Sequence, residues 1–365
     1  MRLVSHIDLL TPLLADKPDW SVLANTEAWS TIRQHAGRYG VAQLIAYAVR
    51  SQVSGEDRAW CDRTLVESWT RHERMLRHLE NLVELSAEKN IPVLCLKGPL
   101  LARRYYNPPF LRKPSMDLDL AIREKDLPRA CEALEGIGYI PVSSIAEAVR
   151  ETHHLELNHP SRPHLELHYR LTHRALGIRV DELFDRAVTV SFPGGREARI
   201  LGDADQLLHL ILHLAQSRFG TLFHLYEIRK VSRTIAPGVV AEAIRRAVRH
   251  HYSATVRMMD IAFRERWNEP FIPEGVEVPK TWLNWRVTPK LYRAFVEFSL
   301  PGREMSVIER MRARWLDFQL TDRPADAWRA AMFFLETARY SLTRASLWRD
   351  REIRFTQGSA GTGAQ

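Results

Sequence analysis

Cysteine is scarce in this chain: Cys61, Cys95 and Cys131 are the only three in 365 residues, far apart and without a C-x-x-C partner. An odd, scattered set excludes a disulfide framework and a cysteine-based zinc site, and it fits a reducing cytoplasm. Long apolar runs are absent too; none approaches the roughly 18 residues that span a bilayer. Met1 to Leu14 carries Arg2, His6, Asp8 and Pro12 where an export signal needs an unbroken apolar stretch. The expectation is a soluble, unexported, cytoplasmic protein with no membrane span. With 17 Gly and 19 Pro there is no collagenous or low-complexity bias, and no repeat of fixed period is present.

Lysine is the other rarity, with 8 against 44 arginines. Together they give a formal net charge of +8, which invites a nucleic-acid reading because clustered cations neutralise phosphates. The cations are not clustered. They run from Arg2 to Arg354, mostly within a few residues of Asp or Glu, so a long nucleic acid is not the expected partner. A length of 365 residues, at roughly 150 per domain, allows two domains or one with large helical additions.

From Trp20 to Asn90 apolar residues recur at helical spacing, as in Leu76, Leu79 and Val83, and predict three or four helices. Ile91 to Leu96 is a short, nearly continuous apolar run that fits a strand buried on both faces. It leads through Lys97-Gly98 into a helix over Pro99–Tyr106, which Asn107-Pro108-Pro109 breaks. Met116 to Ile122 alternates as a second strand. Asp126 is the expected cap of a helix over Leu127–Ile137. His153–Asn158 and His164–Leu171 then alternate as two strands around Pro160-Ser-Arg-Pro163, and Phe192-Pro-Gly-Gly195 reads as a turn. Helical spacing returns from Asp203, through Ala241–Phe263 and again over Val307–Trp348. The expected fold is α/β (α+β): a small mixed-sheet core over 91–200 between a helical segment, 1–90, and a helical domain, 201–356, with a tail over 357–365.

Asp117 and Asp119 are the sharpest feature, because a two-residue step on a strand turns both carboxylates to one face and Leu118 and Leu120 to the other. Two acids side by side repel, and a hard divalent cation such as Mg²⁺ relieves the repulsion. A bare D-x-D is otherwise two solvated acids on an edge strand. Its surroundings add weight: Lys97-Gly98 opens a helix where a phosphate is favoured, and Arg112 and Lys113 precede the acids. On the later strand His164, Glu166 and His168 share a face and offer a third carboxylate.

Leu96-Lys-Gly98, Arg112 with Met116-Asp-Leu-Asp-Leu120, and Leu165-Glu-Leu-His-Tyr-Arg170 together resemble an uncharacterised nucleotidyltransferase family. Its members read LKG, then R…DxDLL, then ElHwrl, and it belongs to the polymerase-beta-like nucleotidyltransferase superfamily. The resemblance runs from about Leu76 to about Thr234, taking in Leu208–His213 and Leu225–Arg229. It implies that Asp117 and Asp119 hold the catalytic metals, two Mg²⁺ ions with Mn²⁺ as the alternative. Glu166 takes the third-carboxylate role, binding the second metal and helping to deprotonate the acceptor. Lys97 and Gly98 sit against the triphosphate, with Arg112 neutralising charge there and Ser115 beside it. The implied reaction is in-line attack of an acceptor oxygen on the α-phosphorus of a nucleoside triphosphate, with pyrophosphate leaving. A small molecule or a peptide is the expected acceptor.

One departure from the superfamily pattern is Pro99, which follows Gly98 where Ser is commoner, so a hydroxyl and a backbone donor are missing there. A second reading follows: a catalytically silent nucleotide-binding or partner-binding protein with the same fold. Glu156 alternates like Glu166 and rivals it for the third carboxylate. His168, on the Glu166 face, is expected to contact acceptor or nucleotide or to support Glu166. His209 and His213 share a helix face, but among Leu and Ile they fit buried packing or hydrogen bonding better than zinc. Trp328, Met332, Phe333, Tyr340 and Trp348 form a stripe expected to be core.

Overall fold

The computed structural model describes residues 6–172 except 17, 20, 22 and 24; 178–280 except 217, 218 and 220; 287–298; and 320, 322–326, 328 and 332. The N-terminal helices form where apolar residues recur three or four apart. They are α1 (His6–Leu10), α2 (Thr26–Ala36), α3 (Ala42–Val49) and α4 (Gly55–Glu88). The Asn25 side chain caps α2 by accepting from the Ala28 N–H at 3.0 Å. Helix α4 is 34 residues long, and its second half buries Met75, Leu76, Leu79, Leu82 and Val83 as one stripe.

Next come β1 (Val93–Cys95), α5 (Pro99–Tyr105), β2 (Asp117–Ile122), α6 (Leu127–Glu135), β3 (Ile140–Pro141) and α7 (Ile145–Glu151). They are followed by β4 (His154–Asn158), β5 (His164–His168), α8 (Asp181–Asp185), β6 (Val188–Ser191) and β7 (Glu197–Ile200). The described helices that complete the chain are α9 (Asp203–Gln216), α10 (Leu222–Thr234), α11 (Pro237–Arg249), α12 (Ser253–Trp267) and α13 (Pro289–Phe298).

The strands make one seven-stranded mixed sheet in the order β3-β4-β5-β2-β1-β7-β6. Strand β2 lies antiparallel to β1 and parallel to β5, and β4 runs antiparallel to β5. Alternation sorts the side chains between two cores. Leu118, Leu120, Ile122, Leu165 and Leu167 join Leu79 of α4 and Leu134 of α6 in the smaller one. Leu94, Leu96 and Ala121 face the other way, into a larger core built from N-terminal and C-terminal helices, from Ile7 to Phe295. The fold is thus α/β (α+β), and among the described residues no helix is long and apolar enough to cross a membrane.

Several details differ from the sequence expectation. Asp126 makes no cap bond to α6; it closes the turn Glu124–Asp126, and its buried Oδ2 has no hydrogen-bond partner. Phe192–Gly195 is a turn, with the Gly195 N–H donating to the Phe192 carbonyl at 2.9 Å, but it joins two strands, β6 and β7, that short mixed stretches do not announce. Trp328 and Met332 are exposed, at 68% and 39%, rather than core. The rest of that stripe, and all of Val307–Trp348 apart from 320, 322–326, 328 and 332, lie outside the described residues.

Candidate functional site

Parallel pairing of β2 with β5 sets Asp117 opposite His164, Asp119 opposite Glu166 and Ala121 opposite His168. On the next strand Glu156 pairs with Glu166 and His154 with His168. Because Leu118 and Leu120 enter the smaller core, the acids stand together on the opposite face.

Lys97, at the end of β1, reaches over this face and places Nζ 2.9 Å from Asp119 Oδ1. His168 Nε2 lies 3.1 Å from the same oxygen and 3.0 Å from Glu166 Oε2, so a proton on Nε2 is shared between two carboxylates. Burial raises the cost of charge on Asp119, yet Lys97 and His168 more than offset it and hold this carboxyl well below the usual range. The same bonds raise His168 against its own burial and lower Glu166. Asp117 goes the other way: burial and repulsion by Asp119 raise it.

Ligand atoms of Asp119, Glu166 and His168 come within 4.8 Å of one another, close enough to share a divalent cation. Among the described residues Asp117 is not in that group, although it shares the face. It opens the strand, next to an Asp119 already neutralised by Lys97 and His168, whose Nε2 bridges Asp119 and Glu166. The two carboxylates are the hard oxygen donors of the group. Glu156 is outside the group as well; it accepts from His154 Nε2 at 3.2 Å on the outer side of β4. His164 turns to Asn158 Oδ1, 2.9 Å away.

Gly98 adopts φ +81 and ψ −143, a conformation that side-chain-bearing residues rarely reach. The Ser115 hydroxyl lies beside it, 3.7 Å from where a Cβ would stand. Arg112, expected to neutralise triphosphate charge, is engaged by other residues of the protein. It is buried in a two-point pair with Glu227 of α10, Nε to Oε1 at 2.5 Å and Nη2 to Oε2 at 3.3 Å. Its third nitrogen donates to Ser115 Oγ at 3.1 Å. The guanidinium thus reaches the Gly98 turn through the serine. Glu227, distant in sequence, lies in the Leu225–Arg229 segment that carries part of the resemblance, but its pairing with Arg112 shows only in the structure.

From the helical side His209, His213 and His224 lie near Lys97 as uncharged imidazoles. Burial pushes His209 and His224 down to about 3, and His213 well below its ordinary value, each with help from the Lys97 charge. His213 and His224 ring centroids are 4.6 Å apart, yet among the described residues the three do not form a metal-binding group. Past Ser115 opens a cavity of about 330 Å³ lined by Arg71, Arg74, His78, Met116 and Arg162. Sequence reading missed it, since its arginines come from α4 and from the β4–β5 turn.

A family described as uncharacterised nucleotidyltransferase matches residues 23–263, about two thirds of the chain and further at both ends than Leu76–Thr234. No curated protein matches it.

Proposed function

The chain belongs to the uncharacterised nucleotidyltransferase family, and on that premise we propose that it transfers a nucleoside monophosphate from a nucleoside triphosphate to an acceptor hydroxyl in a Mg²⁺-dependent reaction. The observation that carries this reading is the meeting of Asp119, Glu166 and His168 on neighbouring strands, with Lys97 against them. Asp119 and Glu166 would hold the cation, and Asp117, beside them, would be the reserve carboxylate for a second. When bound, the cation offsets phosphate charge and makes the acceptor oxygen easier to deprotonate.

The residues divide the remaining work. Glu166, kept ionised, takes the acceptor proton as the acceptor oxygen bonds to the α-phosphorus. The bond from that phosphorus to the bridging oxygen breaks, and pyrophosphate leaves with the electron pair. Lys97, beside Asp119, would offset charge on the phosphates. Gly98 lets a phosphate approach the backbone, Ser115 supplies the hydroxyl absent at Pro99, and Arg112 holds Ser115 in place. Arg71, Arg74 and Arg162 favour an anionic substrate in the neighbouring cavity. The acceptor is a small molecule or a peptide.

One observation favours a second reading, a silent nucleotide-binding protein: Lys97 already satisfies Asp119. A single assay separates the two. Purified protein is incubated with each α-labelled triphosphate, Mg²⁺ and a cell extract, beside Asp119→Asn and Glu166→Gln. Labelled product that falls by about 100-fold or more in both variants is expected. Triphosphate binding without transfer, unchanged in the variants, would sink the enzyme reading.

A further inference from the structure

His153 and His154, side by side where β4 begins, lean against His168 of β5, with ring centroids 5.5 Å and 5.0 Å from it. One ring nitrogen from each of the three lies within 4.8 Å of the others. This nitrogen-rich group adjoins the carboxylate site through His168 but contains none of its acids.

We propose that His153, His154 and His168 form a binding site for a borderline first-row divalent cation, Zn²⁺ above all, distinct from the Mg²⁺ site. Three features support it. His153 Nε2 and His154 Nδ1 share a hydrogen bond at 3.2 Å, a spacing close to the roughly 3.3–3.4 Å that separates two imidazole nitrogens on one tetrahedral zinc with bonds of about 2.0–2.1 Å, so a cation can replace the shared proton. His168 Nδ1 is buried and has no hydrogen-bond partner, while its Nε2 serves Asp119 and Glu166. That buried, unpartnered nitrogen is open to a ligand. Lastly, His154 Nε2 lies 3.2 Å from Glu156, so a carboxylate fixes the orientation of the ring whose other nitrogen faces the group, the usual support of a metal-bound histidine.

The donor set decides the cation. Three imidazole nitrogens suit zinc and leave a fourth position open, whereas Mg²⁺ prefers oxygen and keeps its waters. A cation on Nδ1 also leaves the His168 proton on Nε2, where it donates to Asp119 and Glu166. The nitrogen site would thereby hold the two acids in place, with Glu156 as a positioning residue.

The test uses the full-length protein stripped with a chelator. Zn²⁺ is titrated in competition with a chromophoric indicator, and Co²⁺ is added separately to record its visible spectrum. Expected are one tight equivalent of Zn²⁺, not displaced by millimolar Mg²⁺, and the intense visible bands of four-coordinate cobalt. His153→Ala and His154→Ala should abolish both signals, Glu156→Gln should weaken binding about 10- to 100-fold, and Asp119→Asn should leave the cobalt bands in place. Circular dichroism shows which variants fold, and Glu156→Gln, on the exposed side of β4, serves if the histidine variants do not. No uptake by the wild type, displacement by Mg²⁺, or uptake unchanged in the folded variants would overturn the proposal. None of these readouts depends on transferase activity, so the two readings fail separately.

Discussion

Lys97 Nζ and Asp119 Oδ1 are 2.9 Å apart with both side chains almost wholly out of water, at 11% and 2% exposure. A protein ammonium thus occupies the acid that the proposed reaction needs for a cation. Removing one partner of a buried pair leaves an uncompensated charge, which costs more than the pair contributes. Lys97→Met is expected to lower stability by roughly 3 kcal/mol, the low end of the range because His168 still donates to Asp119. Urea titration measures it, and Lys97→Met with Asp119→Asn should recover much of the loss. The single variant should also bind Mg²⁺ more tightly while losing triphosphate affinity; unchanged Mg²⁺ binding would show that the two cations do not compete.

The Arg112–Glu227 pair links the loop before β2 to helix α10. Glu227→Gln is expected to cost about 3–5 kcal/mol, because a buried guanidinium loses its counter-charge. Replacing both partners, Arg112→Met with Glu227→Met, should be much milder in urea. Ser115 loses its donor in the double variant alone, so a fall in triphosphate affinity there, at near-normal stability, identifies Arg112 as a positioning residue.

Uncharged buried histidines make stability depend on pH in a definite direction. His209 and His224 are held near 3, so the folded protein leaves them neutral while the unfolded chain protonates them below about 6.5. Their contribution is complete above that value and falls as pH drops toward 3, by up to about 1.4 kcal/mol per pH unit for each ring. His168 has the opposite sign: its raised value stabilises at low pH and is lost as pH rises through it. Urea midpoints at pH 7, 6 and 5 should therefore fall, and His224→Leu should flatten the decline. A midpoint independent of pH over that interval contradicts the buried, neutral assignment.

Gly98→Ala tests the turn between β1 and α5. There is room for a methyl group, with Ser115 Oγ at 3.7 Å, so the penalty is conformational: φ +81 with ψ −143 is costly for any residue with a Cβ. A loss of about 1–3 kcal/mol is expected by thermal or urea unfolding. A neutral result would mean that the backbone relaxes to another conformation.

Period-two alternation made β2, β4 and β5 legible, since Leu118, Leu120, Leu155 and Leu167 have to turn inward and carry the intervening polar residues to the other face. The long stripe on α4 was legible for the same reason at helical period. What alternation cannot convey is which charged groups meet. Arg112 and Glu227 are 115 residues apart, and their pairing follows from the packing of α10 against the strand loop. The composition of the three-donor group was hidden likewise, because Asp117 and Asp119 look equivalent until Lys97 and His168 neutralise only one. Strands β6 and β7 were lost to brevity, four residues each with mixed polarity.

Gly40 ties the N-terminal helices to this machinery. It has φ +73, and a Cβ built on it would stand 2.8 Å from the Lys113 side chain and 3.1 Å from Phe223 of α10. Gln43, three residues on, donates to the Leu111 carbonyl at 3.1 Å. The loop bearing Arg112 and Ser115 is therefore gripped from behind by the N-terminal segment. Positions 40 and 43 are thus where the N-terminal helices bear on the loop that carries the serine hydroxyl to the Gly98 turn.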